Sequence, residues 1–401
     1  MSKIHAALEI GTSRTVLAVG ETQAGGRMKI LSHAEIPSSG VRKSQIIDIS
    51  QATQSIRSVL REIEAKQDST GGNVEIHNAL LVASGQHIHV ANAEGNAVVA
   101  GGRVGDAEIM EAARRSREMP IPKGRELLDI VDQDYQIDNL VGITSPKGMS
   151  GRMLRLNTLQ IHASSDRIQD ARTAAEGARL EISEPVFAAT CTADAVLEEH
   201  ERRNGALVLD LGGGSTGYAA YCDGYLAAAG VVGVGGDHVT NDIAYAFQTT
   251  NAQAERLKTD EASAVIGQYT TDNARVRLTG SSALMESRAI SRRALDTVVN
   301  ARLKELFTVI RETLEEADLI HRLHAGVVIA GGGAGMRDLE SLAELELGLG
   351  VRRGRPLQVD GLEDVSDPWA FATISGALLY SQRASGADKS FLGDIIGRFF
   401  K

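Results

Sequence analysis

VLDLGGGSTGYAAY, residues 208–221, runs from an apolar strand through an acid and a glycine turn into a second strand. Asp210 ends the first strand. Gly212, Gly213, Gly214 and Ser215 then let backbone N–H groups close around an anion with no Cβ in the way. The chain opens on the same design: LEIGTSRTVLAVGE, residues 8–21, ends its strand on Glu9 and turns through Gly11, Thr12 and Ser13. A third turn, VVIAGGGAGM at 327–336, places Gly332 and Gly333 where a strand opens a helix, a position suited to a nucleoside or phosphate. Two such hairpins facing each other would grip one polyphosphate. Glu9 and Asp210 would then face a Mg²⁺, through water because that ion dehydrates reluctantly.

Around these motifs, strand alternation and helical periodicity interleave from end to end, the pattern of an α/β protein. SQATQSIRSVLREIEA, 50–65, puts Ile56, Val59, Leu60 and Ile63 on one helical face. Between residues 85 and 164 the texture changes to a β-α-β-β insert: HIHVANAEGNAVV, DAEIMEAARRSREM, RELLDIVDQDYQID and RMLRLNTLQIHAS. The return of the strand, glycine turn, strand theme in the second half reads as an internal duplication.

Composition narrows the function classes. At 401 residues the chain exceeds one ordinary core, so two lobes are expected. With 52 acidic against 42 basic side chains the net charge is −10, which disfavours a nonspecific nucleic-acid binder. Two cysteines, Cys191 and Cys222, in neither CxxC nor His-rich spacing argue against disulfide frameworks and zinc. No signal peptide or bilayer-spanning stretch is read, and a reducing, cytosolic setting is expected. No G-x-x-x-x-G-K-[ST] occurs and no G-x-G-x-x-G is completed, so P-loop and Rossmann readings fall. The histidines show no nucleophile arrangement.

The three glycine turns, in this order, resemble the actin, heat-shock chaperone and sugar kinase superfamily. Within it LEIGTSRTVLAVGE, SGQHIHVAN, VLDLGGGSTGYAAY, TNDIAYAFQTTNAQAERLK and VVIAGGGAGM are similar to the FtsA family of actin-like bacterial cell-division proteins, over essentially the full length. The insert at 85–164 is the strongest discriminator, since that family carries a small subdomain at this point. The resemblance implies a duplicated actin-like ATPase fold. Its parts would be a first lobe core (1–84, with 165–204 and 361–380), the inserted subdomain (85–164), a second lobe core (205–238, with 308–360), an outer subdomain (239–307), a linker (381–389) and a C-terminal helix (390–401).

Carried over residue by residue, the resemblance implies phosphate contacts of ATP at Gly11, Thr12, Ser13, Gly212, Gly213, Gly214 and Ser215. Ribose or base contacts fall at Gly235, Gly236, Glu255, Lys258, Gly332 and Gly333. Glu255 and Lys258 share a helical face and would pinch the nucleoside or form an i,i+3 ion pair. Asp210 is the main metal-side and catalytic acid. Glu9, where the wider superfamily has Asp, lengthens the arm toward Mg²⁺ and leaves hydrolysis open. Glu184, before Pro185, resembles a glutamate that lies near metal and attacking water in relatives; it reads equally as a helix-start Glu before an N1 proline.

The tail DKSFLGDIIGRFFK, 388–401, places Phe391, Leu392, Ile395, Ile396, Phe399 and Phe400 on one helical face, with Ser390, Asp394, Arg398 and Lys401 opposite. From Lys389 onward, three bases against one acid beside aromatics describe an in-plane membrane anchor; the alternative is a tail that docks in a groove. The resemblance implies an ATP-binding protein that forms filaments on the cytoplasmic face of the bacterial plasma membrane at the septum. There it would hold the C-terminal peptide of the tubulin-like protein FtsZ through Arg302 and Glu305, in NARLKELF. Rivals are a PilM-like pilus-assembly protein and a small-molecule kinase of the same superfamily.

Overall fold

The computed structural model describes residues 3–70, 75–267, 275–278 and 288–386. The first lobe begins with β1 (Ile4–Ile10), β2 (Arg14–Thr22) and β3 (Met28–Pro37). A tight hairpin, β4 (Val41–Arg42) and β5 (Gln45–Ile46), then leads to α1 (Ile49–Thr70) and β6 (Asn78–Ala83). The insert follows as β7 (Ile88–Val98), α2 (Asp106–Arg117), β8 (Arg125–Ile137), β9 (Leu140–Ile143) and β10 (Met153–Ser164). The chain returns to the first lobe through α3 (Ser165–Gly177) and β11 (Glu181–Phe187), then crosses by α4 (Ala188–Val196) and α5 (Glu199–Asn204).

The second lobe repeats the plan: β12 (Ala206–Leu211), β13 (Thr216–Cys222), β14 (Tyr225–Val232), α6 (Gly236–Ala246), α7 (Asn251–Arg256) and a π-helical turn, Leu257–Glu261. Next come β15 (Arg275–Leu278), β16 (Arg288–Ser291), α8 (Arg292–Glu316) and β17 (Gly326–Ala330). After a 3₁₀ turn (Gly332–Gly335) the chain runs through α9 (Leu339–Leu347), β18 (Val351–Arg353), β19 (Val359–Asp360) and α10 (Ala372–Gly386).

The duplication is visible in the strand order. One sheet runs β11-β6-β1-β2-β3-β19, the other β14-β13-β12-β17-β18. Each is built on an antiparallel three-strand meander followed by two strands parallel to its first. Both sheets are covered on two faces, so their central strands are apolar throughout. In β1, Leu8 packs toward α1 and α3, whereas Ala7 packs toward α10. In β12, Leu207, Leu209 and Leu211 face the core of α6, α8 and α9, and Ala206 and Val208 face the other lobe. Strand parity therefore places Glu9 and Asp210, each the next residue of the inward-facing set, on the two surfaces that look at one another.

α4 leaves the first sheet and packs on β12 and β13; α10 packs back on β1, β2 and β6, and the two helices pack on each other. They approach so closely that a Cβ on Gly376 would overlap the carbonyl oxygen of Cys191.

Several boundaries differ from the sequence reading. The insert has a fourth strand, β9, because Asp138 takes a left-handed conformation (φ 50°) and folds β8 back as a hairpin. Helix α10 continues to Gly386, over residues assigned to a linker at 381–389: Ser381 Oγ lies 2.8 Å from His5 Nδ1, and Arg383 pairs with Asp194. Residues 387–401, which carry the six apolar tail positions from Phe391 to Phe400, lie outside the described residues.

Candidate functional site

Both hairpins close with the same bond. Gly11 N donates to Arg14 O, and Gly212 N donates to Ser215 O, each at 3.0 Å. Ile10 pairs with Thr15 and Leu211 with Thr216 in the corresponding positions, so Glu9 and Asp210 occupy equivalent places one residue before the last strand pair. The tips meet: a Cβ on Gly213 would lie 3.1 Å from Ser13 Cβ, tighter than ordinary contact. Between the lobes is a cleft of about 510 Å³, lined by Glu9, Gly11, Thr12 and Ser13 on one side and by Asp210 and Gly212 to Ser215 on the other. Its size lies in the range of small-molecule sites, roughly 300–1,000 Å³.

The two acids are the electrostatic centre of this cleft. Burial pushes the Asp210 carboxyl up to about 6, against an opposing hydrogen bond from Thr373 Oγ1 at 3.2 Å. Burial also pushes Glu9 up to about 7; Arg14 opposes that shift, and Asp210 and Glu35 add to it. Arg14 donates to Glu35 at 2.5 Å and lies over the Phe371 ring, 5.4 Å from its centroid, beside the acids. Two hard oxygen donors held toward neutrality by burial are the chemistry that a bound cation relieves. The residues fit a Mg²⁺ held through water.

The residues expected at the nucleoside are brought together in a different manner. Gly236 N donates to Gly212 O and Asp237 N to Gly213 O, both at 2.9 Å, so Gly235 and the start of α6 are braced on the second hairpin. Gly236 lines the cleft with its amide already used. Lys258, 8% exposed, donates from Nζ to Glu255 at 2.7 Å and to Thr240 Oγ1 at 2.9 Å; both partners of this ion pair line the cleft. Gly332 and Gly333 line it too, although the strand opens first into a 3₁₀ turn. Helix α9 starts only after Asp338, which sits in the left-handed region.

Glu184 departs from its expectation. It is exposed on β11 and is not among the cleft-lining residues. Pro185 is not a helix N1 either: α4 begins at Ala188, and the proline sits in an outer strand where the register with β6 shifts between Ile182 and Pro185. A residue with no N–H cannot continue the ladder, and an edge strand tolerates that break. Arg302 and Glu305 are joined on α8 at 2.6 Å, and Arg302 also holds Asp242 of α6, again at 2.6 Å, which ties the two helices.

Residues not singled out from the sequence also line the cleft: Arg14, Ser44, Asp237, Trp369 and Thr373. Burial raises Asp237 above its ordinary range. Arg14 was inside a quoted motif; Ser44 and Thr373 arrive from segments with no glycine signature.

The profile described as SHS2 domain inserted in FTSA matches residues 85–162, and the profile described as cell division protein FtsA matches 207–376. The cell division protein FtsA of Pseudomonas aeruginosa is 31% identical over 399 residues, spanning 98% of this chain and 93% of the relative. The chain belongs to the FtsA family. The FtsA of Escherichia coli K12 is 28% identical over 392 residues, spanning 95% of this chain and 91% of the relative. Among solved structures, a PilM-PilN type IV pilus biogenesis complex matches with a TM-score of 0.63 at 17% identity, over 94% of this chain and 98% of that one. MreB5 of Spiroplasma citri bound to ADP matches with a TM-score of 0.54 at 12% identity, over 95% and 97%. These structural likenesses place this FtsA-family chain in the actin-like fold.

Proposed function

We propose that this protein is an ATP-binding, actin-like division protein that assembles on the cytoplasmic face of the bacterial plasma membrane at the septum and tethers FtsZ filaments there. The observation that carries the nucleotide part is the pair of equivalent hairpins, with Glu9 and Asp210 on facing strand ends. Gly11 to Ser13 and Gly212 to Ser215 hold the phosphates by backbone and hydroxyl groups, while Gly332, Gly333, Gly236, Glu255 and Lys258 flank the nucleoside. Thr373 fixes the Asp210 carboxyl, and Arg14 balances the two acids. Asp210 and Glu9 would hold a Mg²⁺ through water, and the ion would supply positive charge against the phosphates. With Glu184 outside the cleft lining, a slow or absent ATPase is the expected behaviour, and nucleotide serves chiefly to hold the lobes together.

The membrane part rests on the apolar face of Phe391, Leu392, Ile395, Ile396, Phe399 and Phe400. Fully burying six such side chains is worth about 9–18 kcal/mol as an upper bound, but insertion is partial and ordering costs roughly 1–2 kcal/mol per residue. One tail therefore binds weakly, and a filament presenting many gains avidity, so assembly and attachment reinforce each other. FtsZ is assigned to the outer subdomain around Arg302 and Glu305. The PilM-like alternative draws on fold likeness, whereas the inserted domain and the full-length identity both support the division protein.

The test is co-sedimentation of the purified protein with anionic liposomes, ATP and FtsZ. Intact protein should carry FtsZ into the liposome pellet. Phe399→Glu, or loss of 391–401, should abolish pelleting with ATP affinity preserved. Pelleting of the truncated chain would overturn the anchor in favour of a groove-docking tail.

A further inference from the structure

The hairpin of β4 and β5 turns through Lys43 and Ser44, both with positive φ, 50° and 57°. Two-residue hairpins of this hand prefer Asn and Gly, and an ordinary side chain there is strained. Strain kept at a cleft invites a functional reason, and the contacts supply one. Ser44 N donates to Thr12 Oγ1 at 2.8 Å, and Ser44 Oγ lies 3.1 Å from Ser215 Oγ. Ser44 thus touches the first phosphate hairpin and the second together, and it lines the cleft. The nucleoside-side turn, by contrast, packs through Gly333 on Leu211 at the base of the second hairpin. A nucleotide laid from that turn toward the hairpin tips brings its last phosphate to the Thr12, Ser44 and Ser215 hydroxyls.

From this arrangement we infer that Ser44 is a specificity-determining residue that reads the terminal phosphate and favours a nucleoside triphosphate over the diphosphate. The inference rests on the nucleotide-binding reading of the cleft. Without a terminal phosphate, the Ser44 and Ser215 hydroxyls satisfy each other. With one, its charged oxygens accept from both, and a hydrogen bond to a charged acceptor is stronger than one between two hydroxyls. The Ser44 amide meanwhile donates to Thr12 Oγ1, whose own proton can be given to Ser44 Oγ, 3.5 Å away, or to a phosphate oxygen.

The experiment is calorimetric titration of the full chain with ATP and with ADP, each with Mg²⁺, on wild type, Ser44→Ala and Ser44→Gly. Both variants should lose about tenfold in ATP affinity while ADP affinity changes by less than about threefold. Ser44→Gly, which also relieves the left-handed backbone, should melt above Ser44→Ala, so an equal loss of selectivity at unequal melting temperatures assigns the effect to the hydroxyl. Unchanged ATP-to-ADP preference in both variants overturns the inference and leaves the cleft reading standing. Failure of wild type to bind either nucleotide overturns both.

Discussion

Asp210 and Glu9 are two carboxyls that the fold holds at about 6 and about 7. Both folded values are raised above those of the unfolded chain, so the native state binds more protons than the unfolded state between about pH 4 and 7. Stability without ligand is therefore highest below that window and falls as pH rises through it. Asp210→Asn keeps the acceptor for Thr373 and removes the buried charge. Its apo form should gain about 3 kcal/mol at pH 8 and lose the part of the slope that falls between about pH 4 and 6, measured by chemical denaturation. The same variant should lose the Mg²⁺-dependent share of ATP affinity in calorimetry; equal Mg²⁺ dependence in mutant and wild type would remove Asp210 from the metal side. At this scale the sequence was readable where glycine or an acid ended a strand, because backbone geometry demands those residue types. Ser44 and Thr373 were not, since a serine or threonine is compatible with almost any surface and only the tertiary approach gives it a task. Glu184 lies on a strand rather than at a helix start, and its sequence left both open because a Glu-Pro pair fits a helix start and a strand bulge equally well.

Secondary structure elements fared better where two signals agreed. Strand, glycine turn and strand, repeated, predicted two hairpins, and their registers coincide residue for residue. Of the face expected in α1, Ile56, Val59 and Ile63 are fully buried and Leu60 is half-buried at its margin. β9 went unseen because LVGI is short and polar-flanked, and the reach of α10 to Gly386 was hidden by small residues that read as a linker. The α4–α10 crossing is the element contact with least tolerance. Gly376→Ala should cost about 3 kcal/mol, since the obstacle is backbone and overpacking there has no side chain to displace; a melting temperature equal to wild type would show that the helices can separate without loss.

Across the whole molecule, the insert touches both lobes: β8 packs on β11 and α3, with Glu126 paired to Arg172, and Gln133 on β8 donates to Leu226 O at 3.0 Å and to Ala227 O at 3.2 Å on β14. The insert also has its own core, around Ile109, Ala112, Leu154 and Leu156. Leu128, Leu159 and Ile161 share a second cluster with both lobes, so deleting 85–164 should lower the melting temperature of the body; that body should still bind ATP but no longer assemble on lipid, as a head-to-tail contact between unlike surfaces is what propagates a filament. Filaments of unchanged repeat in electron micrographs of the deletion variant would place the contact elsewhere. The end of α10 bears on a different property. Its last turn is clipped to the first strand through Ser381 and His5, and to α4 through Arg383 and Asp194, while Asp194 also holds Arg202 at the far end of the crossing. A pull on the chain beyond Gly386 is consequently taken up along the axis of a helix wedged between two lobes, in shear, and reaches the crossing itself before it can peel any strand from a sheet edge.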